Sequence, residues 1–544
     1  MASKTVFGSS PRGKITPPAT TINQAGGRAY DLGSKHSLAQ FACTGTLNDC
    51  FYSKAEEQLD AVLELCKKID PTFVAKTAVY ARESGSMKDM PALLAAILTT
   101  VPGGGELLKK IFPRVMDNGK MLRNFVQMIR SGQLGRKSFG TMPKRLVQKW
   151  FASRTDDDIF RSTVGNDPSL ADVIKLCRPK PDTESRRALY GYIIGAKGTK
   201  IEYLPELVQQ FELFKLSRLE KSDTRSKMPT MPPMPKVPME MLTGLKLFSG
   251  DWELIASQAS WTQTRMNLAA WNKQGVFKTP KIVEMVSSRL RDPELVKKSK
   301  VFPYQLLMTY SMTEGLPVEI RDAIQDAMEI ACASAPVVEG KVVICPDVSG
   351  SMSSPVTGHR TGATTKVRCI DIAALVSAVF MRKNPGTRVI PFEQDVVNRL
   401  HLNGQDSIMT NATKLASIGG GGTNCSAPLH LLNREGAQVD LVVFVSDNES
   451  WADPKVPYGR GTRMLAEWNA LKVRCPKAKL VCIDIQAGET TQAGDREDIL
   501  NIGGFSDSVF EVISRFISGA TTWEMASRAL APEHWVSLIE GITL

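Results

Sequence analysis

Along the first 340 positions apolar residues recur every three to four residues; past Lys341 they gather into short continuous runs. The first pattern predicts amphipathic helices, the second buried strands. Over 56–68, Leu59, Val62, Leu63 and Cys66 form one stripe behind acids in the first turn. Asp70-Pro71 is an N-cap followed by proline at the first helical position, opening a helix through Tyr80. The stripe returns over 121–130 with Leu122, Phe125, Val126 and Ile129, where Gly132 stops it, and over 144–151 with Leu146, Val147, Trp150 and Phe151. Further helices are predicted at 91–99, 105–116, 169–177, 183–195, 202–218, 239–246, 251–258, 280–291 and 318–333. Short helices joined by Gly, Pro and polar turns, with no strand pattern and no clean period, predict antiparallel helix pairs stacked as an irregular solenoid. Five prolines between Pro229 and Pro238 exclude helix there and predict an extended surface connection.

From Lys341 the texture becomes strand–helix alternation. Strands are predicted at 341–346, 387–393, 439–446 and 479–485, with a short one near 509–513; helices fall between them, notably 366–382 and 461–473. Near-continuous apolar strands separated by helices imply a parallel sheet covered on both faces, with ligands at the carboxyl ends of its strands. The fold class is α + α/β, a helical solenoid followed by a doubly wound sheet.

A chain of 544 residues is too long for one core. Its ten cysteines show no CxxC pairs, and Cys345, Cys369 and Cys482 lie in apolar stretches, which points to reduced core residues and a cytosolic compartment. No run of eighteen apolar residues is present to span a membrane. The Ser/Pro/Thr-rich residues 1–20 read as a flexible tail without an apolar signal core. The net charge of +12 is uneven: residues 341–544 hold 20 basic against 21 acidic residues, which leaves 48 against 35, or +13, for residues 1–340. The N-terminal part is therefore the half expected to meet a polyanion.

Two candidate sites follow. Asp347-Val-Ser349-Gly-Ser351 comes directly after the run Val342–Cys345, and alternate residues of extended backbone point the same way. Thr423 on the loop Gly419–Gly422 adds a hydroxyl, and Asp447 ends the second apolar strand in a carboxylate. This DxSxS, loop Thr and strand-end Asp resemble the metal-ion-dependent adhesion site of von Willebrand factor A-type domains. Asp347, Ser349, Ser351, Thr423 and Asp447 form an oxygen set that suits a divalent cation, Mg²⁺ foremost. The serines are not in GxSxG, and the glycine loop does not continue into GK[ST], so neither a hydrolase elbow nor a nucleotide loop is indicated. The bland alternative is a loop that merely binds water.

The second candidate is basic. Residues 107–154 carry twelve Lys and Arg against the single acid Asp117. Arg136, Lys137, Lys144, Arg145 and Lys149 from this run, with Arg178, Lys180, Arg186 and Arg187 beyond it, are the candidate RNA-binding residues. The helical stripe around Trp150 buries one side, so Arg145 and Lys149 share the exposed face. Trp252, Trp261 and Trp271 read as core rather than as stacking platforms for bases.

Both sites on one chain resemble the Ro autoantigen family, in which a telomerase–Ro–vault module is joined to a von Willebrand A-like domain. The stretches that carry the resemblance are Asn23–Gly27, Phe302-Pro303-Tyr304, Gly421–Ser426, Ser446–Ser450 and Asp495-Arg496 followed by Gly503-Gly504-Phe505. The resemblance implies a helical ring over 21–338 and a von Willebrand A-like domain over 339–544 whose C-terminal segment closes it, in a monomer. It further implies Y-like noncoding RNA on the outer basic surface and single-stranded 3′ ends of misfolded or precursor RNA in the central hole. The bacterial partners it suggests are exoribonucleases, polynucleotide phosphorylase above all. A family His used for Y RNA corresponds to Leu170, which puts fine RNA selectivity in doubt. A non-enzymatic, cytoplasmic RNA-binding protein is the resulting expectation. Its rival is a cation-dependent protein scaffold, and a nuclease is weaker because two close metals would be expected.

Overall fold

The structure is a computed structural model that describes residues 16–544 apart from 137, 220–231, 302, 334, 360–366, 399, 401, 454–460, 487, 505–506 and 519–534. Its described residues fall into two compact units, one of Met1–Ile69, Leu290–Glu314 and Arg321–Ile542, the other of Asp70–Arg289, Gly315–Ile320 and Thr543–Leu544.

The second unit is helical. Pro71–Glu83, Asp89–Ile97, Gly104–Val115, Gly119–Arg130, Thr141–Ala152, Leu170–Cys177 and Glu184–Ile194 follow the predicted stripes. Capping fixes where they begin: the Asp70 carboxylate accepts from the Thr72 amide at 3.1 Å, and the Asn118 side chain from the Met121 amide at 3.1 Å. Trp150 is buried and donates its indole N–H to the Met116 carbonyl at 2.8 Å, so the stripe is core. Trp261 and Trp271 are buried, as expected, while Trp252 is half-buried. The start of the proline-rich connection lies outside the described residues.

The first unit carries a five-stranded parallel sheet in the order β4-β3-β5-β6-β8, from β3 (Val342–Pro346), β4 (Arg388–Val389), β5 (Leu441–Ser446), β6 (Lys479–Asp484) and β8 (Ile499–Gly503). Helices Cys369–Lys383, buried along nearly its whole length, and Arg463–Arg474, which buries Trp468, supply core around it. Phe392 and Phe444 meet edge to face at 5.5 Å beneath the strands.

Two predictions are corrected. Residues 509–513 are not a strand but part of the helix Asp507–Ser518, because Val509, Phe510, Val512, Ile513 and Phe516 are buried at helical spacing. The last sheet strand is instead Ile499–Gly503, whose apolar run is interrupted by Asn501 and ends in Gly503. The first 340 residues are also not free of strands. β1 (Thr21–Ile22) and β2 (Arg28–Asp31) form a hairpin, and β2 pairs antiparallel with β7 (Thr490–Thr491). Strands of two and four residues cannot display alternation. Of the segment expected to be a flexible tail, residues 1–15 lie outside the described residues. Its described end is anchored: Tyr30 donates to the Pro17 carbonyl at 2.8 Å and Asn469 to the Thr16 hydroxyl at 2.8 Å.

Candidate metal centre and nucleic-acid interface

In the sheet-bearing unit, β3 and β5 are adjacent and parallel, with Pro346 opposite Val445. The chain leaves both at one edge, and the Asp347 amide still bonds the Val445 carbonyl at 3.0 Å. Asp347 is fully buried, and Ser349, Ser351, Thr423 and Asp447 are nearly so. Its carboxylate accepts from the Ser349 amide at 2.8 Å and from the Ser446 hydroxyl at 2.6 Å. The Ser349 and Ser351 hydroxyls stand 3.2 Å apart. The glycine loop closes over them: Gly420 donates to the Val348 carbonyl at 3.0 Å and Gly350 to the Gly421 carbonyl at 2.9 Å. Gly419 sits at φ +105°, where a Cβ would stand 1.9 Å from the Val348 carbonyl oxygen. Thr423 is held by its own carbonyl, which accepts from the Trp451 amide at 3.1 Å and the Ala452 amide at 3.0 Å.

The electrostatics ask for a cation. Burial first, and the Asp447 charge second, push Asp347 up to about 7. Asp447 is raised by burial too, with its Oδ2 buried and no donor at ordinary geometry, the Ser351 hydroxyl being its neighbour. Two buried carboxylates, an orphaned oxygen and a hydroxyl pair are the donor set a hard divalent ion takes. Among the described residues no group of three or more His, Cys, Asp or Glu could hold a metal, so hydroxyls are needed to complete this set.

Three further residues border it without having been predicted. Glu449 is pushed up to about 7, chiefly by burial. Glu393 accepts from the Gly421 amide at 2.8 Å. Tyr52 is raised to about 12, first by burial and then by the Asp447 charge. Glu449 stood inside the quoted Ser446–Ser450 stretch; Tyr52, some 300 positions away, gave no signal.

In the helical unit the predicted basic residues divide. Arg145 and Lys149 are exposed on helix Thr141–Ala152, and Lys144 is half-buried beside Cys177. Between them Gln148 donates to the Cys177 carbonyl at 2.8 Å and to the Arg178 carbonyl at 3.4 Å, which brings the backbone of the exposed Arg178 beside this helix; Lys180 is exposed two residues on. Arg187 is 69% exposed and pairs with Glu184 at 3.4 Å. Arg136 and Arg186 are engaged within the fold instead. The Arg136 guanidinium donates to the carbonyls of Thr99 at 2.8 Å, Ser138 at 3.2 Å and Phe139 at 3.2 Å. Arg186 is 8% exposed, ion-paired with Asp156, and donates to the Phe151 carbonyl at 3.0 Å and the Arg154 carbonyl at 2.8 Å. Lys137 lies outside the described residues. Leu170, at the start of helix Leu170–Cys177, is buried.

No disulfide joins the cysteines among the described residues. Among the described residues no helix is long and apolar enough to cross a membrane.

Residues 341–517 match a family model described as the Ro60 vWA domain. Over 524 residues the chain is 24% identical to the RNA-binding protein RO60 of Deinococcus radiodurans, covering 91% of this chain and 95% of that protein. The RNA-binding protein RO60 of Caenorhabditis elegans is 24% identical over 265 residues, which are 46% of this chain and 39% of the relative. In fold, the chain is similar to the crystal structure of the Deinococcus radiodurans RO (RSR) protein, with a TM-score of 0.58 at 21% identity, over 90% of this chain and 100% of that one. Residues 341–517 thus resemble the Ro60 vWA domain, and over nine-tenths of its length the chain is similar in sequence to the Deinococcus radiodurans RO60 protein and similar in fold to the solved RO protein.

Proposed function

We propose that this chain is an RNA-binding protein acting by binding rather than catalysis, with RNA on the helical unit and a divalent cation at the ends of β3 and β5. The observation that carries the first part is the face of Arg145, Lys149, Arg178 and Lys180, exposed cations for which no ion pair is seen among the described residues. Such a face neutralises phosphates and gives affinity with little base reading. The names of the two RO60 relatives favour the same polyanion.

The finer reading rests on the family resemblance: Y-like noncoding RNA on the basic surface, single-stranded 3′ ends of misfolded or precursor RNA in a central hole, and hand-over to an exoribonuclease such as polynucleotide phosphorylase in the cytoplasm. A flexible single strand enters where a duplex is too wide, which selects RNA with unpaired ends. At the metal, Mg²⁺ held by Asp347, Ser349, Ser351, Thr423 and Asp447 would supply an open position for a partner's carboxylate. The buried Asp447 oxygen without a donor favours the cation that this second, protein-binding role requires.

A gel-shift titration tests the proposal with a structured RNA bearing a 3′ single-stranded tail, against the same RNA blunt-ended, with and without chelator. Tail-dependent, chelator-insensitive binding is expected. No binding at moderate salt would overturn the RNA reading and leave the protein scaffold.

A further inference from the structure

The hairpin β1–β2 is not explained by the core it covers. Its turn, Asn23–Gly27, reaches across more than 400 positions of sequence to the segment that follows the metal ligand Asp447. The turn is built around Asn23, whose carbonyl accepts from the Gly26 amide at 3.0 Å and whose amide donates to the Gly27 carbonyl at 2.8 Å. The Asn23 side chain, 4% exposed, accepts from the Gly27 amide at 2.6 Å and donates to the Ser450 carbonyl at 2.8 Å. Beside it the Ala25 amide donates to the Glu449 carboxylate at 3.0 Å. Contact is so close at Gly27 that a Cβ would stand 1.9 Å from the Ser450 carbonyl oxygen.

The gripped segment is also held from its other side and passes the constraint to the ligands. Asn448 sits at φ +64°, and its side chain bonds the Thr490 carbonyl at 3.3 Å and accepts from the Gln492 amide at 3.3 Å. Thr490 is on β7, which is paired to β2 of the same hairpin. Ser450 receives the Cys425 amide on its hydroxyl at 2.9 Å and lies 3.4 Å from the Thr423 carbonyl. The Glu449 amide points back to the Asp447 carboxylate at 3.4 Å. Two metal ligands, Asp447 and Thr423, are thus tied to one turn.

We infer that the Asn23–Gly27 turn is a positioning element of the metal centre, with Asn23 and Gly27 setting the segment Asp447–Ser450 so that cation binding and hairpin docking are thermodynamically linked. The inference rests on the metal reading above. Partners that orient ligands typically change metal affinity about 10-fold or more. Linkage is reciprocal, so the cation must stabilise the docked turn by the same factor.

The test uses the full chain with Mg²⁺ as probe, reading affinity by calorimetry and amide hydrogen exchange over residues 21–31. Asn23→Ala and Gly27→Ala are each expected to weaken Mg²⁺ about 10-fold, with Asp347→Asn abolishing it. In the unaltered chain, Mg²⁺ is expected to slow exchange at 23–27, a readout that needs no variant to fold. Unchanged Mg²⁺ affinity in the folded variants, or Mg²⁺ binding without added protection of the turn, overturns this inference alone. If the unaltered chain binds no Mg²⁺ at all, the metal reading falls and the inference with it.

Discussion

The Ser446 hydroxyl donates to the Asp347 carboxylate over 2.6 Å, joining the last residue of β5 to the first residue beyond β3. That bond occupies one Asp347 oxygen and leaves the carboxylate unable to turn away from Asp447. Burial and this neighbouring charge then hold Asp347 at about 7.

A pH dependence follows from that shift. A carboxyl raised in the folded state contributes stability that is fully present below its unfolded value, about 4, and is lost as pH rises through the folded value, here about 7. A cation reverses this by favouring the ionised pair. The Mg²⁺-induced rise in Tm is therefore expected to be larger at pH 8 than at pH 6, measured by thermal unfolding in buffers matched for ionic strength. An equal rise at both values would remove Asp347 as the controlling group.

The basic face makes a prediction of a different form. Replacing Lys144, Arg145 and Lys149 together by Ala should weaken RNA across sequences and lower the slope of log K against log salt by about 2, at roughly 0.7 per phosphate on a single strand. The fold should be intact, because Arg145 and Lys149 are exposed. A titration of one RNA at several salt concentrations checks it, and an unchanged slope would move the interface elsewhere.

Arg186→Ala should behave in the opposite way. The residue is 8% exposed and its guanidinium serves Asp156 and two carbonyls, so removal leaves a partly buried carboxylate without its ion pair and takes one donor from each carbonyl. A loss of about 3 kcal/mol is expected, read by denaturant unfolding, while any RNA affinity kept by the folded fraction retains its full salt slope.

The contrast between Lys149 and Arg186 shows what composition can and cannot give. Counting cations found a basic region, but whether a guanidinium meets solvent or a carbonyl depends on helix-to-helix packing, as with Arg136 on the Thr99 carbonyl. Local chemistry was legible where spacing alone fixes it: the Asp70 cap, the stripe through Trp150, and the gathering of buried oxygen-bearing side chains at the ends of β3 and β5. The hairpin strands were too short to show a period, and the apolar run of β8 is broken by Asn501. Tyr52 and Asn23 reach the metal loops only through tertiary contact, which no local pattern announces.

Gly419→Ala tests the centre by sterics alone, with no ligand atom removed. Alanine there meets two separate penalties: φ of +105°, which L side chains rarely adopt, and a Cβ placed 1.9 Å from the Val348 carbonyl oxygen. The strain is of order 1–3 kcal/mol, and it is relieved only if the glycine loop moves off the Asp347–Ser351 segment. That movement would break the bond from the Gly420 amide to the Val348 carbonyl and carry Thr423 away from the two serines. Mg²⁺ affinity is therefore expected to drop by more than the loss of global stability, measured by calorimetry beside thermal unfolding. Gly386→Ala, at φ +87° with nothing within 4 Å of the added Cβ, is the control. It carries backbone strain far from the metal ligands in sequence and should lower Tm without touching Mg²⁺ affinity.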